Sequence, residues 1–343
     1  MVFLKGTTCL LCALTLFSVF SMKVPGGDKA MNGLAGAAVT TFLVEALCGC
    51  IGGDLAGIEL MKEIGATAGS MGGVAAAALV PIAMGAAPVF GVSAGAVAVG
   101  FGILPGFIAG YATYWIYRVI VRFLPGGVDV IVGAIVTAIA ARLILVCSAP
   151  SVDAVLGVIG DSVMAATDST PLVMGMVLGG IMKMVCTSPL SSMALTAMLG
   201  LTGLPMGIAS MACVGGAFSN GIVFRKLGVG NTGQVIAVMI EPLTQADLVT
   251  QNSVPLYMCN FFAGGMSGMI AVTLGIVNNA PGTASPVPGL LAPFAFNDPL
   301  TVLLAVAGAA ASGIICGILG TGMLYKTRFG RLIINKTGRV AEA

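Results

Sequence analysis

The chain has 343 residues, of which 58% are apolar and 8% charged, with a formal net charge of +2 and a mean hydropathy of +1.07. A soluble domain normally carries about 25% charged residues, so this composition lacks the polar surface needed to dissolve in water and points to a membrane-embedded protein. Histidine is absent, which removes Ser-His-Asp and Cys-His nucleophile systems and any phosphohistidine relay carried by the chain itself.

Lys5 and the apolar run from Cys9 to Phe20 resemble a secretory signal, but no convincing small-x-small cleavage site follows. We read a retained first membrane segment, with Lys23, Asp28 and Lys29 in the loop after it. Further apolar runs span 33–53, 69–88, 90–117, 126–147, 150–167, 171–186, 193–224, 232–250, 254–277 and 299–324. Each approaches or exceeds the roughly 20 residues that cross hydrocarbon as a helix. The run at 193–224 is too long and holds Pro205, which predicts a short half-helix followed by a full span; the run at 232–250 is interrupted by Glu241-Pro242. The expected fold is an all-α polytopic membrane protein with about eight to ten transmembrane helices and two re-entrant hairpins. It forms one domain over residues 1–325, followed by a short basic tail, 326–343.

Between the first runs, Asp54 to Ala66 sets Ile58, Leu60, Met61 and Ile64 among Glu59, Lys62 and Glu63, the pattern of a short interfacial amphipathic helix. The 50 glycines suit helices that approach closely in lipid, as at Gly175-x-x-x-Gly179, Gly264-x-x-x-Gly268 and Gly313-x-x-x-Gly317. Most of the nine cysteines sit inside apolar runs and read as small hydrophobes. Cys48-x-Cys50 has no second Cys or His cluster to complete a metal set, so neither a metal nor another cofactor is expected. Lys326, Arg328, Arg331, Lys336 and Arg339 follow the last run, which puts the C-terminus on the cytoplasmic side of the cell's inner (plasma) membrane. Without interleaved aromatics this tail is topogenic rather than a nucleic-acid site.

Residues 171–296 carry the functional signal. Two polar, proline-bearing segments interrupt the apolar chain there: Thr187-Ser188-Pro189-Leu190-Ser191-Ser192, and Glu241 to Asn252. At bilayer depth such groups must be satisfied by protein or line a wet cavity. The second segment supplies Glu241, Gln245, Asp247, Gln251 and Asn252, a mixture of acceptors and donors that suits a polyhydroxyl ligand. The hydroxyls of Thr187, Ser188 and Ser191 can recapture carbonyls freed by Pro189 or contact ligand. Lys183 lies deep in an apolar run and needs a counter-ion, a cavity or a route to the interface; Glu241 and Glu45 are the candidate partners. Asn278 and Asn279, which open a Gly- and Pro-rich loop of the kind that closes over sites, are further expected substrate-binding residues.

The run Leu172-Val-Met-Gly-Met-Val-Leu-Gly-Gly-Ile-Met-Lys-Met-Val-Cys-Thr-Ser-Pro-Leu-Ser-Ser-Met-Ala-Leu, then Leu199-Gly-Leu-Thr-Gly-Leu, the Gln245 to Asn252 segment and Asn278-Asn-Ala-Pro-Gly-Thr-Ala together resemble the membrane EIIC components of the bacterial phosphoenolpyruvate-dependent sugar phosphotransferase system. The likeness is to the branch that includes the perfringolysin regulator-like proteins. It implies a homodimeric sugar permease in the lipid bilayer whose cavity is walled by two re-entrant hairpins. Glu241-Pro242 looks like the pair that holds the sugar hydroxyl to be phosphorylated by a separate EIIB partner. An enzymatic role would exist only as the membrane subunit of such a complex. A sensor or regulator of the same fold without transport, and an ion-coupled secondary transporter, are the alternative expectations.

Overall fold

A computed structural model describes residues 23–187, 192–245, 248–249 and 252–326, together with 5, 8, 12, 15–17 and 19–21. The described residues are helical and irregular, with no strand among them. In chain order the helices are α1 (Gly27–Ala38), running into π-helical turns at Val39–Leu43 and Glu45–Leu55; α2 (Glu59–Ser70); α3 (Gly72–Met84); α4 (Pro88–Ala96); and α5 (Ile103–Phe123). They continue with α6 (Val128–Ser169), α7 (Pro171–Thr187), α8 (Ser192–Met198), α9 (Gly203–Leu227), α10 (Thr232–Ile240), a 3₁₀ turn at Pro242–Gln245, α11 (Ser253–Thr273), α12 (Pro286–Leu291) with a 3₁₀ turn at Ala292–Ala295, and α13 (Pro299–Lys326).

Five helices among the described residues are long and apolar enough to cross a membrane, and six if the pair α2 and α3, bent by 57°, is counted as one broken span. The all-α polytopic class stands, but this count is lower than the eight to ten expected from apolar runs, because runs and helices do not coincide. The run at 69–88 stops at Gly85, which takes a left-handed φ of 106°. Pro88 then opens α4, and a turn after Ala96 separates α4 from α5. The runs at 126–147 and 150–167 instead fuse into one 42-residue helix that tolerates Pro150. At 1.5 Å per residue α6 is about 63 Å long, roughly twice the hydrocarbon thickness; Asp153, Asp161 and Asp168 all lie in its second half. The run at 193–224 divides as its length and Pro205 predict, into the seven-residue α8 and the 25-residue α9.

The chain packs as two compact units, Leu10–Asp161 with Met193–Gly200, and Met1–Cys9 with Ser162–Ser192 and Leu201–Ala343. In the unit containing α1 to α5, glycines let α3 lie against both α1 and α5: a Cβ on Gly33 would come 2.7 Å from Val80 Cα, and one on Gly110 2.9 Å from Ala76 O. Tyr111, Tyr114 and Trp115 form an edge-to-face aromatic cluster on α5, with the Arg118 guanidinium 5.4 Å from the Trp115 ring centre. Amphipathic aromatics beside a cation mark the level where a helix leaves hydrocarbon for headgroups. This unit also holds a cavity of about 430 Å³ bordered by Phe42, Ser70, Gly100, Phe101 and Asp153.

The other unit is built on α7, α9, α11 and α13. Gly175 faces Gly268 and Gly179 faces Gly264, so α7 and α11 run antiparallel with their backbones in contact. The same device joins α13 to α9, where Gly313 meets Gly215 and Gly317 meets Ile222. Lipid gives helices no hydrophobic reason to associate, so this close van der Waals approach is what holds the unit together.

Gly179→Val therefore tests the packing. An added Cβ would lie 2.5 Å from Gly264 O, and overpacking of this kind costs about 1–3 kcal/mol, to be read as a lower melting temperature in detergent. Gly157→Ala on α6, with nothing within 4 Å of the added atom, is expected to leave the melt unchanged or slightly raised.

Candidate functional site

Helix α10 begins with a complete capping box: Asn231 Oδ1 accepts from Gln234 N at 3.0 Å, and Asn231 N donates to Gln234 Oε1 at 2.9 Å. Nine residues later the helix stops at Glu241, whose backbone is extended (φ −147°, ψ 102°). Pro242 causes the stop, since a residue before proline is pushed out of the helical region. The chain then turns through Pro242–Gln245, with Thr244 Oγ1 donating to Glu241 O at 2.8 Å and Gln245 Nε2 to Thr244 O at 2.9 Å. A half-buried carboxylate is thus left at a helix C-terminus, the end where the backbone dipole disfavours negative charge.

This turn packs against α7, so the second polar break lies beside the helix that leads into the first. At the far edge of the first break, Ser192 Oγ donates to Ala284 O, in the loop that follows α11. Within one unit, then, the Glu241–Gln245 turn lies against α7, and Ser192 is tied to the 278–285 loop.

Within the apolar packing just before the break lies a buried polar cluster on three helices. Lys183 is 0% exposed, as are Asn220 of α9 and Asn260 of α11. The lysine stem lies over Gly216 of α9, and its Cβ abuts Gly264 of α11. One helical turn onward, Thr187 Oγ1 donates to Lys183 O at 3.0 Å and accepts from Asn260 Nδ2 at 3.0 Å, while Asn260 Nδ2 also donates to Asn220 Oδ1 at 2.7 Å. Among the described residues, Lys183 Nζ, Asn220 Nδ2 and Asn260 Oδ1 have no hydrogen-bond partner. Cys186 and Cys213 lie alongside, within hydrogen-bond reach of each other, and both Lys183 and Glu241 are near enough to Cys213 to act on it electrostatically.

The remaining expected site residues divide. Asn278 is wholly buried and already committed: its Nδ2 donates to Ser210 Oγ and Thr283 Oγ1, each at 2.8 Å, and its Oδ1 accepts from Ala280 N at 2.9 Å. Asn279 Oδ1 accepts from Gly203 N at 3.1 Å, lashing the loop to the start of α9. Asn252 is buried, its Nδ2 donating to Leu248 O at 2.8 Å while its Oδ1 has no partner among the described residues. Glu45 belongs to the other unit, where its carboxylate packs against Gly69 of α2. Ser188, Ser191, Asp247 and Gln251 lie outside the described residues. Among the described residues no group of three His, Cys, Asp or Glu side chains is arranged to hold a metal ion. Asn220 and Asn260 were missed by the sequence reading, although an asparagine inside an apolar span is costly for the same reason as Lys183 and was open to the same inference.

A family model described as "Phosphotransferase system, EIIC" matches residues 28–336. The chain belongs to this EIIC family. It is therefore a multi-pass membrane permease component of the phosphotransferase system, and as an EIIC component it works in general on a sugar with an EIIB partner. No curated protein and no solved structure matches the chain. In this EIIC chain both helix breaks belong to one unit, and a permease component needs polar groups at depth where its substrate passes.

Asn278→Ala should separate architecture from binding. It removes the bonds to Ser210 Oγ and Thr283 Oγ1, which keep their own bonds to Met206 O and Ala280 O, and takes the acceptor from Ala280 N, at a cost of about 1–3 kcal/mol, measured as a lower melting temperature. Asn279→Ala, which removes one acceptor from an exposed bond, is expected to cost less.

Proposed function

We propose that the chain is the sugar-translocating subunit of a phosphotransferase system, with residues 1–325 acting as one transmembrane domain and Glu241 orienting the substrate hydroxyl that receives the phosphoryl group. One observation carries this reading: Pro242 ends α10 so that the Glu241 carboxylate stands at an interrupted helix, in a turn packed against α7. The helix dipole gives no reason for a carboxylate at this C-terminus, since it opposes negative charge there. A carboxylate there can accept a hydrogen bond from a sugar hydroxyl and take up its proton.

The transfer has a simple balance. The hydroxyl oxygen attacks phosphorus, the bond from phosphorus to the EIIB side chain breaks with its electron pair leaving on EIIB, and the hydroxyl proton passes to Glu241. The protein's part is positioning and charge stabilisation. Gln245 at the turn and Thr187 at the end of α7 line the approach, with Asn252, Ser188, Ser191 and Asp247 as further substrate contacts. Asn278 and Asn279 hold the loop that frames it. The chain works as a homodimer in the inner membrane, its basic C-terminal tail on the cytoplasmic side where EIIB docks.

Glu241→Ala is expected to melt like the wild type yet lower EIIB-dependent phosphorylation of the substrate by about 100-fold or more, measured in proteoliposomes supplied with phosphorylated EIIB. Undiminished phosphorylation would remove Glu241 from the mechanism. Uptake without EIIB would identify an ion-coupled carrier, and binding without uptake a sensor.

A further inference from the structure

We infer that the substrate of this permease is an acidic sugar, a polyhydroxy carboxylate of the aldonate or uronate type, and that Lys183 is its counter-ion. The inference rests on the permease reading above and extends it to the substrate class.

The argument is one of unmet valence. Lys183 brings three N–H donors and a positive charge to a place with 0% exposure, and among the described residues no hydrogen-bond partner reaches its Nζ. The amide nitrogen of Asn220 is also unpartnered and adds two further N–H donors; Asn260 Oδ1 is the unpartnered acceptor. Within the cluster, donors outnumber acceptors and one of them is charged. A neutral sugar brings hydroxyls, each with one donor and two acceptor lone pairs, which can take up some of these donors but leave the cation without a counter-charge. A hydroxy acid brings a carboxylate that takes several donors at once, and a hydroxyl that can donate to Asn260 Oδ1. Desolvating a cation is expensive unless it is paired.

The surroundings are arranged for the lysine rather than merely tolerant of it. Gly216 and Gly264 are the places where its stem passes between α9 and α11, and a side chain at either would collide with it. One turn further along the same two helices stand Asn220 and Asn260, joined to each other and to Thr187. Thr187 is the last residue of α7, at the mouth of the first break. Parting of the helices there, as alternating access requires, exposes the ammonium to a ligand whose hydroxyl end lies toward Glu241.

The test compares each acid with its neutral partner on the purified full chain in detergent: gluconate against glucitol, galactonate against galactitol, and glucuronate and galacturonate against glucose and galactose. Binding is read by calorimetry and by thermal shift. At least one acid is expected to bind while its neutral partner does not. Lys183→Met should weaken that binding by about 30-fold or more, as for a buried charge pair stripped of one member, with partial retention in Lys183→Arg. If Lys183→Met does not fold, Lys183→Gln and the wild-type comparison of acid with neutral partner decide the matter. Neutral sugars binding as well as the acids, or better, overturns the acid inference and leaves the permease reading intact. Neither class binding, together with no EIIB-dependent uptake, overturns both.

Discussion

Close backbone contact between α7 and α11 is the constraint from which the rest of the second unit follows. Gly175 and Gly179 meet Gly268 and Gly264 so closely that no side chain fits at either crossing, and Gly216 of α9 completes the space around Lys183. Had these been larger residues, the three helices would stand further apart and the lysine stem could not be enclosed between them. The same closeness brings Thr187, Asn220 and Asn260 within hydrogen-bonding distance across three helices. Small residues thus do two jobs here: they hold the helices together where the hydrophobic effect cannot, and they set the spacing of the polar groups.

Much of this was legible in the chain. The three Gly-x-x-x-Gly pairs were recognisable because small residues one turn apart leave a flat face, and the structure puts all three at helix contacts. The break at Glu241-Pro242 was legible because proline constrains the residue before it whatever the tertiary context. The division of the long run near Pro205 was legible from length alone, since 32 apolar residues exceed a single crossing.

The number of spans was not legible, and the reason is physical. Hydropathy is summed over side chains, whereas a helix ends where the backbone turns. Gly85 with Pro88 ends α3 and begins α4 without any loss of apolar character, and Pro150 sits inside α6 without ending it. Composition cannot tell these prolines apart; the neighbouring helices decide whether the lost hydrogen bond is tolerated. The asparagines show a second limit. Asn278 and Asn260 are equally polar in the chain, but Asn278 spends its hydrogen bonds stitching a loop to α9 and Asn260 keeps its carbonyl oxygen unpartnered. Only the three-dimensional census of partners separates a structural amide from an available one.

That census bears on how a permease of this kind can work. A site that is fully satisfied when empty has no reason to take a ligand, and one that is fully unsatisfied does not fold. The α7–α9–α11 cluster lies between these limits: Thr187 and one face of each asparagine are engaged, which fixes their orientation, while the lysine nitrogen, one amide nitrogen and one carbonyl oxygen are held out of partnership. The dense packing that keeps them dry also makes the unpaired state costly. If the cluster is the ligand site proposed above, ligand binding relieves a penalty already present in the fold, and part of the binding free energy is prepaid by the packing of glycines against glycines. The same unpaired groups give a permease a reason to open, since parting the helices lets water reach the lysine. A substrate that satisfies them would let the helices close again, and the carrier would alternate between two arrangements of similar free energy.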